Sequence, residues 1–150
     1  MLISVTVPLV VGFLSGMFTA SGIQTWYAAL NKPWFNPPNY LFGPVWTLLY
    51  ILMGVALYYI LQAKGHPQRS KALQWFGIQL FLNFWWSILF FYFQWPLVAL
   101  VEIALMWVAI FIMIHYVYTI HRTVALLQIP YLLWVSFATL LNASLWWLNR

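Results

Sequence analysis

Phe42-Gly43-Pro44-Val45-Trp46-Thr47-Leu48-Leu49-Tyr50-Ile51-Leu52-Met53-Gly54-Val55-Ala56-Leu57-Tyr58-Tyr59-Ile60-Leu61-Gln62-Ala63 carries no charged side chain from end to end. At about 1.5 Å rise per residue, a helix of that length crosses the roughly 30 Å hydrocarbon core of a bilayer. The reading extends to the whole chain. With 65% hydrophobic and 5% charged residues there is too little polar surface to cover a water-soluble globule, so the solvent is largely lipid.

Five runs reach membrane-spanning length, at about 2–22, 42–63, 73–95, 97–120 and 124–148. They predict an all-α fold, an integral membrane bundle of five transmembrane helices in one domain over residues 1–150. The first run lacks a basic n-region and is long for a signal peptide, so it reads as a helix. Its Gly12, Gly16 and Ala20 recur every four residues, a spacing that lets a neighbouring helix approach closely but also arises by chance in membrane helices. Breakers and charge mark the turn at 64–72, Pro96 separates the third and fourth runs, and His121-Arg122 separates the fourth and fifth.

The exception to short connections is the loop over residues 23–41. Its core, Trp26-Tyr27-Ala28-Ala29-Leu30-Asn31-Lys32-Pro33-Trp34-Phe35-Asn36-Pro37-Pro38-Asn39-Tyr40, is rich in aromatics and stiffened by proline, which fixes φ. It suits a lid over a membrane pocket; the same rings equally suit an anchor at the headgroup layer.

Charge narrows the function classes. The net charge of +5 comes from six basic residues lying mostly outside the apolar runs, as at membrane flanks, and the only cluster, Lys64, Arg69 and Lys71, is explained more simply by anionic headgroups than by nucleic acid. Lys64, Arg69, Lys71 and Arg122 outnumber Lys32 and Arg150, which predicts a cytoplasmic N-terminus with the lid loop and the C-terminal end opposite. The absence of cysteine removes disulfides, thiol catalysis and Cys-ligated metals. Glu102 is the one acidic residue, so neither a paired-carboxylate nor a nucleophile–histidine–acid mechanism can be assembled.

Polar residues within the spans need partners or a cavity. Gln79, Asn83 and Trp86 share one face of the third run, Trp46, Tyr50 and Met53 one face of the second, and Trp134, Ala138 and Leu141 one face of the fifth. Each set alone is explained by helix packing, with amides as interhelical glue. Together, and with Glu102 about five residues in from Leu97, they predict a cavity opening toward the loop, with aromatic walls and the Asn83 amide at its floor. Such a site suits a large, flat, apolar ligand. No metal ligand set reaches it: His115 lies about 27 Å from the loop side on a straight helix, and His66 and His121 fall at the far face.

Trp26-Tyr27, Lys32-Pro33, Pro37-Pro38, Phe42-Gly43-Pro44-Val45-Trp46-Thr47, Tyr50, Met53-Gly54, Gln79-Leu80, Asn83-Phe84 and Trp86-Ser87 resemble the tryptophan-rich sensory protein family. Its mitochondrial relative is the translocator protein, or peripheral benzodiazepine receptor. The likeness continues through Leu100-Val101-Glu102 and Pro130-Tyr131-Leu132-Leu133-Trp134-Val135-Ser136-Phe137-Ala138-Thr139 to Asn142, so it spans nearly the whole chain and suggests a bacterial member.

The resemblance implies a five-helix, usually homodimeric bundle in the bacterial cell membrane or the outer membrane, binding protoporphyrin IX and other lipophilic ligands and needing no resident cofactor. By position it implies that Trp46 and Trp134 serve light-dependent porphyrin breakdown, and that Tyr27, Pro37, Phe42, Trp46, Tyr50, Asn83, Trp86, Trp134, Ala138 and Leu141 contact ligand. The animal proteins' Leu/Val–Tyr–Lys/Arg sterol pattern at the end of the fifth helix is missing, since no tyrosine lies between Tyr131 and Arg150. Three functions stay open: a tetrapyrrole-binding sensor and regulator, which leads; a light-dependent porphyrin-degrading enzyme; and a transporter.

Overall fold

A computed structural model describes residues 1–150. Its long helices are α1 (Leu2–Ile23), α3 (Phe42–Gln62), α4 (Arg69–Ser87), α5 (Pro96–Ile120) and α7 (Ile129–Leu148); two short ones are α2 (Trp26–Ala29) and α6 (Arg122–Leu126). Five segments are long and apolar enough to cross a membrane, which makes the chain a multi-pass integral membrane protein.

Three boundaries differ from the sequence expectation, each for a local reason. The third span begins at Arg69 rather than near 73, because Arg69 Nε donates to the Ile60 carbonyl at 3.1 Å and the Lys71 ammonium lies over the Tyr116 ring at 5.7 Å, so both cations are held at the helix start. That span ends in a π-helical turn, Ile88–Tyr92, where Phe93 N bonds to Ile88 O at 2.9 Å and the wider turn buries Phe90 and Phe91. Gln94, at φ 58, then reverses the chain ahead of Pro96. The fifth span is broken into α6 and α7 at Leu127-Gln128, where Pro130 opens α7 and the Gln128 side-chain amide donates to the Leu52 carbonyl at 2.9 Å.

Consecutive long helices pack as hairpins: α1 on α3, α4 on α5, and α5 on α7, while α1 also leans on α4 and its π turn. Glycines set how closely α1 can approach. A Cβ on Gly54 would collide with Val5, and one on Gly12 with the Tyr50 ring, so the first half of α1 is seated directly against α3. At the other end of α1 a Cβ on Gly22 would stand 2.7 Å from the Phe91 carbonyl oxygen, which seats that end on the π turn instead. The two ends of α1 therefore rest on different partners.

The remaining junction, α3 with α7, is made by rings. Phe42 meets Trp134 edge-on at 6.2 Å, and Trp46 meets Tyr131 at 6.3 Å. Met53, Ile60, Ile103, Met106, Ile110 and Met113 fill the bundle centre away from the lid.

Candidate functional site

The lid is folded and fastened. Tyr27, on α2, is 1% exposed; its hydroxyl donates to Asn36 Oδ1, and it packs edge-on against Phe42 at 6.5 Å. Burial pushes its phenol up to about 12, against a smaller opposing effect from the Asn36 hydrogen bond. Lys32 Nζ donates to the carbonyls of Ala28 and Leu30, at 3.0 and 3.2 Å, and lies over the Tyr27 ring. Phe35 rests on Phe137 of α7 at 6.2 Å. At the end of α7 Asn149 Oδ1 accepts from Asn31 N at 2.8 Å and Asn149 Nδ2 donates to Asn31 O at 2.9 Å. Trp34, in contrast, is 96% exposed, the anchor geometry that the sequence also allowed.

Beneath the lid lie two adjoining cavities. The wide one, about 420 Å³, lies between α1, α3 and α4, and includes Ser15, Asn39, Trp46, Tyr50, Asn83 and Ser87 in its walls. Its volume falls within the roughly 300–1,000 Å³ of small-molecule sites. The narrow one, about 20 Å³, is lined by Tyr27, Trp134, Phe137, Ala138, Leu141 and Asn142 among others. Phe42, Trp46, Trp86 and Phe91 border both and form the partition.

Polar groups at the partition are held by interhelical bonds. Tyr50 donates to Asn83 Oδ1, Asn83 Nδ2 donates to the Tyr131 hydroxyl at 3.0 Å, and Tyr131 donates to Gln79 Oε1 at 2.8 Å. The chain joins α3, α4 and α7, and such bonds within membranes contribute about 0.6–2 kcal/mol each. Asn142 accepts from the Trp86 indole N–H at 3.2 Å and donates to the Pro96 carbonyl at 2.8 Å, so it orients the partition indole and holds the start of α5. Two buried donors have no acceptor, one of them Gln79 Nε2. The Trp134 indole N–H is buried without a partner.

Nine of the ten residues that the resemblance pointed to border one cavity or the other. Phe42, Trp46, Tyr50, Asn83 and Trp86 line the wide one, while Tyr27, Trp134, Ala138 and Leu141 line the narrow one, shared by Phe42, Trp46 and Trp86. Pro37 lines neither; its carbonyl accepts from Asn36 Nδ2 at 3.2 Å, which holds the lid. Glu102 lies outside both cavities, buried on α5 with both carboxylate oxygens unpartnered, so it does not join the cavity wall that the sequence placed it in. The contribution of α1 was missed: Ser15, Gly16, Thr19 and Ala20 line the wide cavity. Their four-residue spacing was a visible signal, but it reads as helix packing until Gly16 is seen with open space where a Cβ would go.

The histidines lie elsewhere. His66 Nδ1 accepts from Gln68 N at 3.2 Å, His121 caps α6 while packing on Tyr59 at 4.6 Å, and His115 packs on Tyr116 at 5.4 Å.

A membrane bundle with an aromatic double cavity under a fastened loop defines the class, and comparison with known proteins gives the family. The TspO/MBR family model matches residues 4–148, and the chain belongs to that family. It is 47% identical over 146 residues to the tryptophan-rich protein TspO of Archaeoglobus fulgidus, covering 97% of this chain and 94% of that protein. It is 36% identical over 124 residues to the tryptophan-rich sensory protein of Cereibacter sphaeroides, covering 83% and 77%. It is 34% identical over 137 residues to the translocator protein of Homo sapiens, covering 89% and 80%.

Proposed function

We propose that this protein is a membrane tetrapyrrole sensor and regulator that holds protoporphyrin IX against the indoles of Trp46, Trp86 and Trp134. The carrying observation is the buried Trp134 N–H without an acceptor, on a residue of a cavity wall made mostly of rings. A buried donor left unpaired costs about 1–3 kcal/mol, and a carbonyl, carboxylate or ring nitrogen of a ligand supplies what it lacks. Ring faces favour a planar partner by offset stacking. Asn39 at the edge of the wide cavity is positioned for a polar substituent of that partner, whereas Lys32 is occupied by backbone carbonyls.

The narrow cavity holds no more than a water as it stands, so ligand entry into it requires the partition rings to move. Assembly as a homodimer belongs to the same proposal. Its mass in lipid nanodiscs tests it.

Light-dependent breakdown is the second reading, favoured by three oxidisable indoles, Trp46, Trp86 and Trp134, bordering the same narrow cavity. Bound pigment would absorb light and generate reactive oxygen beside them. Pigment loss that needs both light and protein supports this reading; pigment crossing a sealed liposome supports transport; saturable binding with neither supports the sensor.

A further inference from the structure

Ligand reaches the wide cavity sideways from the bilayer, we infer, through a slot between α1 and α3 whose lips are Gly16 and Ala20 on one helix and Gly43 and Thr47 on the other; this rests on the reading of that cavity as the ligand site. All four residues line the cavity and all four are exposed. Each pair is four residues apart, hence on one face of its helix, one turn above the other. A Cβ built on Gly16 or Gly43 meets nothing within 4 Å, so the opening passes both backbones.

The packing of α1 explains why a slot exists at all. Near its start α1 is seated on α3 by the glycine contacts Gly54–Val5 and Gly12–Tyr50, and near its end it is seated on the π turn by Gly22–Phe91. Between the seats at Gly12 and Gly22 lie Gly16 and Ala20, small residues that line the wide cavity and are exposed.

The lid is fastened to α7 by the Asn31–Asn149 pair and the Phe35–Phe137 contact and within itself by the Tyr27–Asn36 hydrogen bond. An apolar planar molecule is concentrated in the bilayer, not in the water above the lid. The slot faces that supply.

Gly16→Leu fills the slot without displacing any atom near the Cβ, and on a helix it replaces the weaker helix former. In proteoliposomes, tryptophan quenching by protoporphyrin IX is followed after mixing and after dilution into empty vesicles. Binding and release are both expected to slow by about tenfold in Gly16→Leu, the signature of a gate, whereas a loss of cavity contacts alone would speed release. The proposal is overturned if those rates stay at wild type, or if Asn149→Ala, which unfastens the lid, accelerates entry while Gly16→Leu does nothing.

A second arm does not depend on porphyrin. Since the chain has no cysteine, Thr19→Cys gives one attachment point in the cavity wall for a trifluoromethyl tag. A bilayer-confined nitroxide lipid should broaden that tag's resonance, and Gly16→Leu should weaken the effect. Broadening by a water-soluble gadolinium chelate instead, unaltered by Gly16→Leu, contradicts the slot. If wild type shows no saturable quenching but the tag responds as described, the porphyrin reading fails and the slot stands.

Discussion

Asn149, one residue past the end of α7, holds Asn31 of the lid by two reciprocal hydrogen bonds, 2.8 and 2.9 Å, across a sequence separation of 118 residues. The contact ties the lid to the helix that carries Trp134 and Ala138.

Both bonds are exposed, so Asn149→Ala should cost no more than about 1 kcal/mol in stability. Its effect is local. Hydrogen exchange should quicken over residues 30–38 and stay unchanged through α3 and α4; uniform protection in the variant would mean that Phe35 and Tyr27 hold the lid alone.

Alkaline pH gives a separate handle on the lid. Because the folded phenol of Tyr27 is raised from 10.0 to about 12, its contribution is fully present below about pH 10 and is lost as pH rises to about 12. Lid protection should fall in that window in wild type, and the component of that fall due to ionisation should vanish in Tyr27→Phe. An identical alkaline profile in the variant would assign the loss to other groups.

Trp46→Phe and Trp134→Phe keep a ring of packing size while removing the indole N–H. For Trp134 that group has no acceptor, so the variant should melt no lower than wild type by more than about 1 kcal/mol. Any light-driven loss of bound protoporphyrin should drop sharply in both. Variants that unfold yet keep normal activity per folded molecule would make these residues core and nothing else.

Ala138 borders the narrow cavity on the same face as Trp134. Ala138→Thr adds a branch to a space with room for about one water, although its hydroxyl can bond the carbonyl of residue 134 one turn back. We expect protoporphyrin affinity to weaken by about tenfold, or about 1.4 kcal/mol, with a smaller loss of stability. Unchanged affinity would confine the ligand to the wide cavity.

The five spans were legible because a bilayer imposes a length and forbids charge, and both constraints leave a mark on every residue of a span. Inward faces of α3, α4 and α7 were legible too, from Trp46, Asn83 and Trp134 recurring at helical spacing with their neighbours. What escaped depends on tertiary contacts. The π turn at Ile88–Tyr92 contains no proline or glycine, and it is held by tertiary contacts such as Gly22 of α1 against Phe91 and Trp26 against Phe90. Glu102 points away from both cavities because rotation of α5 is set by its packing on α4 and α7, which a single helix pattern does not encode. Likewise Gly12 and Gly16 look alike in sequence, yet one is a contact and the other an opening.

Titration of the purified protein with metal-free protoporphyrin IX, read by tryptophan quenching and repeated with haem, tests the central claim most directly. Histidines sit away from both cavities, so binding rests on stacking and on the Trp134 donor, with no axial ligand to favour iron. The account predicts saturable quenching with affinities for the two pigments within about threefold and a haem spectrum without histidine ligation. Quenching that never saturates and matches partition into protein-free lipid, or a strong preference for haem that disappears in His115→Ala, would contradict it.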